Sequence, residues 1–189
     1  MKQYLELLKH VMEFGELKYN RTGVNTKDSF GHTIRFDLRK GFPLLTTRKM
    51  PFNSIAAELI WFIKGSTNVN ELREIQHGYD SNKKTIWDAN YENQAKNLGY
   101  VNGNLGPIYG AQWRRPLIKD DTINSRIIKT DQLEEAIYQI KNHPGSRRII
   151  VNSWQSDDLR KMALPPCHYS FQFNVSSDGE YLDLLWTQR

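Results

Sequence analysis

Apolar and polar positions along this chain repeat with two periods and switch between them several times. Tyr4, Leu7, Leu8, Val11 and Met12 recur at helical spacing, which predicts a helix over residues 3–14 that Gly15 stops. Phe30, His32, Ile34, Phe36 and Leu38 alternate, which predicts a strand over residues 29–38, broken at Gly41-Phe42-Pro43. Residues 52–64 carry Ile55, Ala56, Leu59, Ile60, Phe62 and Ile63 and predict a largely buried helix. Pro51 suits its first turn and Gly65 its end. A second helix is expected from Asn68, because Glu71 stands three residues on as in a capping box. The polar segment 88–97 reads as a short helix, and the glycine-rich stretch 99–110 as a loop. Residues 115–130 read as an exposed polar excursion. A further helix is expected over 131–142, with Leu133, Ala136, Ile137 and Ile140 inward, ended by His143-Pro144-Gly145. Ile149, Ile150 and Val151 predict a short strand. Tyr169, Phe171, Phe173 and Val175 alternate in a second, and a turn at Ser177-Asp178-Gly179 leads into a third over 181–186. Helices mixed with strands and closing on paired strands predict an α+β fold in one domain spanning 1–189. The last residues, Thr187-Gln188-Arg189, fall inside or just after an apolar strand, which reads as a sign of truncation.

Composition narrows the setting. A single cysteine cannot form an internal disulfide, so a reducing, cytoplasmic compartment is expected. The N-terminal residues have no apolar signal core, and no apolar run approaches a membrane span. A net charge of +5 favours anionic partners, a phosphorylated small molecule or nucleic acid, although solubility alone also accounts for it.

Several residues could carry chemistry. Cys167 lies in Ala163-Leu164-Pro165-Pro166-Cys167-His168, where two prolines stiffen the approach to a soft nucleophile suited to electron-poor double bonds. Local spacing alone favours a buried, inert thiol. Arg147 and Arg148 precede a strand, and adjacent positions there point to opposite faces, so one is expected inward, where it would need an anion. Arg21-Thr22-Gly23 forms a polar turn able to hold a phosphate. Glu58 is a carboxylate in an apolar helix, so burial should raise its pKa and suit it to proton transfer, unless it faces solvent. Trp87, Tyr109 and Trp113 could wall a planar ligand or simply fill the core. No phosphate-loop, dinucleotide or metal-ligand spacing occurs, and no metal is expected.

Taken in order, these segments resemble thymidylate synthase from end to end. The resemblance is carried by Arg21-Thr22-Gly23, Gly41-Phe42-Pro43-Leu44, Glu58-Leu59-Ile60-Trp61-Phe62, Ile86-Trp87-Asp88, Leu105-Gly106-Pro107-Ile108-Tyr109-Gly110, Ser146-Arg147-Arg148-Ile149-Ile150-Val151, Pro165-Pro166-Cys167-His168 and Gln188-Arg189. It implies a thymidylate synthase-like mixed sheet layered with helices, and conversion of dUMP to dTMP with 5,10-methylenetetrahydrofolate as one-carbon and hydride donor. Under it, Cys167 adds to uracil C6, Tyr109 with ordered water helps remove the C5 proton, and Glu58 assists proton transfers. His168 joins the polar network and Trp87 lines the folate side. Arg21 and Arg189 bind the nucleotide phosphate, Arg189 also favours the thiolate, and Gln188 helps hold the substrate. Arg147 and Arg148 reach the phosphate of the other subunit in a homodimer.

The chain also departs from the family pattern. Asn90 replaces a second tryptophan, Thr187 replaces a tyrosine, and Asn152-Ser153-Trp154-Gln155 replaces Ser-Ala-Trp-Asn. The resemblance places the family's ribose-binding His and Tyr, its uracil-selecting Asn and its closing tail after the Gln188-Arg189 motif, outside residues 1–189. The resemblance therefore implies an N-terminal portion, with a complementing C-terminal fragment as a partner. Two other readings stand beside it: a folate-dependent pyrimidine-nucleotide hydroxymethylase, and a catalytically incomplete fragment that keeps only dimerisation or binding of RNA or DNA.

Overall fold

The computed structural model describes residues 2–20, 23–79, 81–114, 117–119 and 127–189, with 117–119 and 127–129 described by backbone alone. It resolves into two compact units, Met1–Pro51 and Phe52–Arg189.

In the first unit, helix α1 (Lys2–Phe14) leads into an antiparallel pair, β1 (Glu16–Lys18) and β2 (Thr26–Asp28), with Glu16 opposite Asp28. Tyr4, Leu7 and Val11 lie on the half-buried face of α1, whereas Leu8 and Met12 are exposed. The strand expected over 29–38 does not form. Among the described residues no strand pairs with 29–36, and Phe30 is 97% exposed. Alternation marks a face but cannot provide the partner a ladder requires. A short 3-10 turn, Leu38–Lys40, follows instead, capped by Asp37, whose side chain accepts from the Arg39 amide.

The second unit carries α2 (Phe52–Ile63), α3 (Val69–His77) and α4 (Asp88–Asn90), which continues through a π turn, Tyr91–Ala95, and a 3-10 turn, Lys96–Leu98. Next come α5 (Tyr109–Arg114), the antiparallel pair β3 (Leu117–Lys119) and β4 (Ile127–Lys129), and α6 (Gln132–Asn142). The chain finishes in an antiparallel sheet ordered β5 (Ile150–Asn152), β6 (His168–Val175), β7 (Leu182–Gln188), with Val151 opposite Phe171 and Phe171 opposite Trp186. Helix α2 packs on α3 and α5, and α5 and α6 pack on each other and on β5. The core joins both layers through Trp61, Phe62, Leu72, Leu105, Val151 and Phe171. No helix among the described residues is long and apolar enough to cross a membrane.

Three expectations are corrected here. Helix α2 is not largely buried: Ala57, Trp61 and Phe62 are, but Ile55, Leu59, Ile60 and Ile63 are 37–47% exposed. A helix apolar all round buries only the stripe its neighbours cover. In α6, Ala136 is buried and Leu133 and Ile140 pack on the core, whereas Ile137 faces out. The loop assigned to 99–110 ends early, because α5 begins at Tyr109. A Cβ on Gly110 would lie 2.2 Å from the Ser66 carbonyl oxygen, so glycine is what lets this helix approach the α2–α3 connection. Of the polar excursion, residues 115, 116 and 120–126 lie outside the described residues, and β3 and β4 are its paired flanks.

Candidate active site

The site gathers where α5 begins and β6 begins. Cys167 is a free, half-buried thiol one residue before β6. Its backbone N–H donates to the Tyr109 hydroxyl oxygen at 2.8 Å. The next side chain, His168, stacks on the Tyr109 ring with centroids 4.2 Å apart and planes 14° from parallel. Phe62 lies against both rings, 4.7 Å from Tyr109 and 6.3 Å from His168. Trp87 meets Tyr109 edge-on at 6.2 Å, and its indole N–H donates to Glu58 Oε1 at 2.5 Å. The fold thus brings Cys167, Tyr109, His168, Trp87 and Glu58 into one cluster walled by Phe62. Trp113, 2% exposed, fills the core behind it and donates to Ser153 Oγ at 2.6 Å, so it is no ligand wall.

Burial sets the protonation states. It raises the Glu58 carboxyl above its ordinary range, and the Trp87 N–H only partly opposes this. Burial likewise pushes Tyr109 up to about 12, against the backbone amides of Cys167 and His168 that donate to its oxygen. Burial pushes His168 down to about 4. Near neutral pH the thiol therefore sits beside a protonated phenol and a neutral imidazole, a set able to donate and relay protons without burying net charge.

The cysteine is held from below by the end of the chain. Arg189 N–H donates to the Cys167 carbonyl at 2.9 Å, its Nε to the Pro166 carbonyl at 3.0 Å and Nη2 to the Pro165 carbonyl at 3.1 Å. The guanidinium also lies 5.7 Å from the Trp154 ring centroid. With Asn152, Trp154, Tyr169 and Ser170 it lines a cavity of about 470 Å³.

The remaining expected residues are placed less centrally. Gln188 pairs with His168 across β6 and β7, with its side chain exposed. Arg147 and Arg148 are both exposed, so the expectation that one points inward fails; Ile149, 1% exposed, takes the inward position. Arg21 lies outside the described residues. Among the described residues no three His, Cys, Asp or Glu side chains gather to hold a metal ion. Sequence reasoning passed over Arg73, which donates from α3 to the buried Asp88 beside Trp87. The available signal was Thr85-Ile86-Trp87-Asp88, a hydroxyl three residues before a carboxylate, which is a capping spacing.

His168 gives the site a testable pH dependence. Its folded pKa is depressed below the unfolded value, so between the two the unfolded chain binds the extra proton. Stability should therefore rise with pH from about 4 to about 6.5, and His168→Gln should flatten that part of the profile relative to the parent. Urea denaturation at stepped pH measures it; parallel profiles for the two proteins would refute a buried, neutral His168.

An α+β fold that gathers a thiol, a phenol, an imidazole and a carboxyl behind an aromatic wall defines a candidate enzyme of nucleophilic thiol chemistry. The chain belongs to the thymidylate synthase family, whose model matches residues 2–189. It is 51% identical over 189 residues to the thymidylate synthase of Enterobacteria phage T4, covering 100% of this chain and 62% of that protein. It is 48% identical over 189 residues to the probable thymidylate synthase of Escherichia phage T5, covering 63% of that protein. The crystal structure of thymidylate synthase from T4 phage superposes with a TM-score of 0.86 over 100% of this chain and 62% of that one. The chain thus spans less than two thirds of the length of these relatives.

Proposed function

We propose that this chain forms the nucleophile-bearing part of a methyltransferase that converts dUMP to dTMP with 5,10-methylenetetrahydrofolate as co-substrate. The observation that carries the reading is the Cys167–Tyr109–His168 cluster within a family match that crosses both compact units. That continuity also supports treating residues 1–189 as belonging to one domain. The two relatives, named as thymidylate synthases, favour methylation over hydroxymethylation.

The Cys167 thiolate attacks C6 of the uracil ring. The Sγ–C6 bond forms as the C5–C6 π pair moves to C5, with charge spread onto O4, and C5 becomes the nucleophile for the one-carbon unit. The C5 proton then leaves through Tyr109 and ordered water, and the thiolate departs as the double bond reforms. When bound, the reduced folate supplies the one-carbon unit and the hydride. The residues present suit such a group at one end. Glu58, half-buried and raised in pKa, can lend a proton to a basic ring nitrogen, and Trp87 holds it while lining that side.

Arg21 and Arg189 take the nucleotide phosphate. Gln188 steadies the substrate, and His168 keeps the polar network neutral. Arg147 and Arg148, exposed in one chain, reach the phosphate of a second subunit. The exposed apolar side chains on the sheet face away from the core, Ile150 and Leu185, suit a homodimer face. A reducing cytoplasm suits the free thiol.

The test joins this chain to the part of the T4 enzyme it does not span and measures dTMP formed from dUMP and methylenetetrahydrofolate. The extended protein should turn over, and the 189-residue chain alone should be weak or inactive. A folded, extended protein that forms no dTMP would overturn the reading.

A further inference from the structure

Trp87 sits at the start of the helical stretch that α4 opens, and its N–H is aimed at Glu58 on a different helix. The side chain beneath the first turn of that stretch is Asp88, 5% exposed, and both its oxygens are engaged. Oδ1 accepts from Arg73 Nε at 2.8 Å and from Arg73 Nη2. Oδ2 accepts from the Thr85 amide at 2.5 Å and from the Thr85 hydroxyl at 3.0 Å, and the Thr85 hydroxyl oxygen accepts from the Trp87 amide at 3.2 Å. Arg73 is itself steadied on α3, where its Nη1 donates to Asn70 Oδ1 at 2.7 Å. Helix α3 is tied back to α2 by Gln76 Nε2, which donates to the Ser54 carbonyl at 3.2 Å. The connections close a ring from α2 through α3, Arg73, Asp88, Thr85 and Trp87 to Glu58, again on α2.

We propose that Arg73, Asp88 and Thr85 form a positioning clamp that holds the Trp87 indole N–H on the Glu58 carboxyl. Its catalytic consequence rests on the role proposed above for Glu58; the clamp itself does not. Two guanidinium N–H groups converge on Oδ1 while Thr85 holds Oδ2, so Arg73 and Thr85 together fix the orientation of the carboxylate as well as its distance. The ionised state of Asp88 agrees: burial alone would raise its pKa, and the hydrogen bonds from Arg73 and Thr85 outweigh it. The titratable groups around the Trp87–Glu58 contact are Arg73 from α3, Asp88 from α4, Tyr109 from α5, which feels the charge of Glu58, and His168 behind Tyr109.

The sign of one titration separates the clamp from simple electrostatics. Removing the Asp88 charge through space would make Glu58 easier to ionise and lower its midpoint. Loosening Trp87 would withdraw a hydrogen bond that favours the ionised form and raise it. The test uses the full chain labelled with 15N at its tryptophans and follows the indole N–H of Trp87, identified by Trp87→Phe, between about pH 4 and 9. In the parent that signal should move with Glu58, and in Glu58→Gln it should not. Asp88→Asn, whose amide can serve only one side of the clamp, should raise the midpoint by roughly 0.5 pH unit or more. Thr85→Val should raise it without changing any charge, and Arg73→Lys should raise it less than Arg73→Met.

A midpoint that falls or stays in Asp88→Asn, with the other four indole signals in place, overturns the clamp. If Asp88→Asn loses those signals, Thr85→Val decides, and an unchanged midpoint there overturns it. In the protein extended with T4 sequence, the same variants should lower kcat about tenfold at unchanged KM for dUMP. A raised midpoint with kcat intact supports the clamp and removes the role of Glu58 instead.

Discussion

Cys167→Ala in the extended protein is expected to stop dTMP formation, with turnover lower by roughly 10⁴-fold or more, because a missing nucleophile leaves no alternative route of comparable rate. The fold should survive. The contact that ties this residue to Tyr109 comes from its backbone N–H, and the bond to its carbonyl comes from the Arg189 amide, so neither needs the sulfur. Circular dichroism and the melting temperature should therefore match the parent. Cys167→Ser should be nearly as inactive, since a hydroxyl in the same place is far less acidic and less nucleophilic than a thiol. Release of tritium from C5-labelled dUMP gives a second readout. The C5 proton becomes labile only after C6 is attacked, so both substitutions should suppress release along with product. Substantial dTMP formation or tritium release by Cys167→Ala would remove the covalent mechanism.

The parts of the molecule legible in the sequence are those whose cause is local. β6 and β7 follow from alternation joined by a turn, and α6 from Asp131, whose side chain caps the Glu134 amide. Glu58 was legible as a carboxyl inside an apolar helix, and the structure gives it the burial that such a position implies. The failures share another cause. Residues 29–38 alternate like a strand, but pairing depends on a distant segment that a period cannot reveal. The apolar residues of α2 surround the helix, so the pattern could not say which stripe would be covered. Helix α5 hides in a glycine-rich run because its start depends on Gly110 approaching Ser66, a residue far away in sequence. Cys167 was the sharpest case: its local spacing admitted an inert thiol, and only the ordered motifs along the whole chain pointed to a nucleophile. Tyr109, 58 residues earlier, reaches its amide only in the folded chain.

Phe62→Ala is expected to cost about 3–5 kcal/mol of unfolding free energy, a large share of what a domain of this size holds. Phe62 is 3% exposed, and its ring stands between structure and site. It lies 5.1 Å from Trp61 and 5.5 Å from Trp113 on the core side, and 6.0 Å from Trp87 and 4.7 Å from Tyr109 on the site side. Four rigid aromatic neighbours cannot collapse into the space a benzyl group leaves, so the transfer loss and the cavity loss add. Phe62→Leu keeps most of the volume and should cost about 1–1.5 kcal/mol. Urea denaturation distinguishes the two. The same cavity should reach the chemistry. His168 is held down to about 4 by burial, and Phe62 is one of the rings that excludes water from it. Admitting water beside the imidazole should raise the His168 pKa toward its ordinary value in Phe62→Ala and much less in Phe62→Leu, a shift that NMR titration of the ring protons can follow. A stability loss below about 1 kcal/mol with His168 unmoved would show that the aromatic wall repacks freely, and that the neutrality of the site does not depend on this ring.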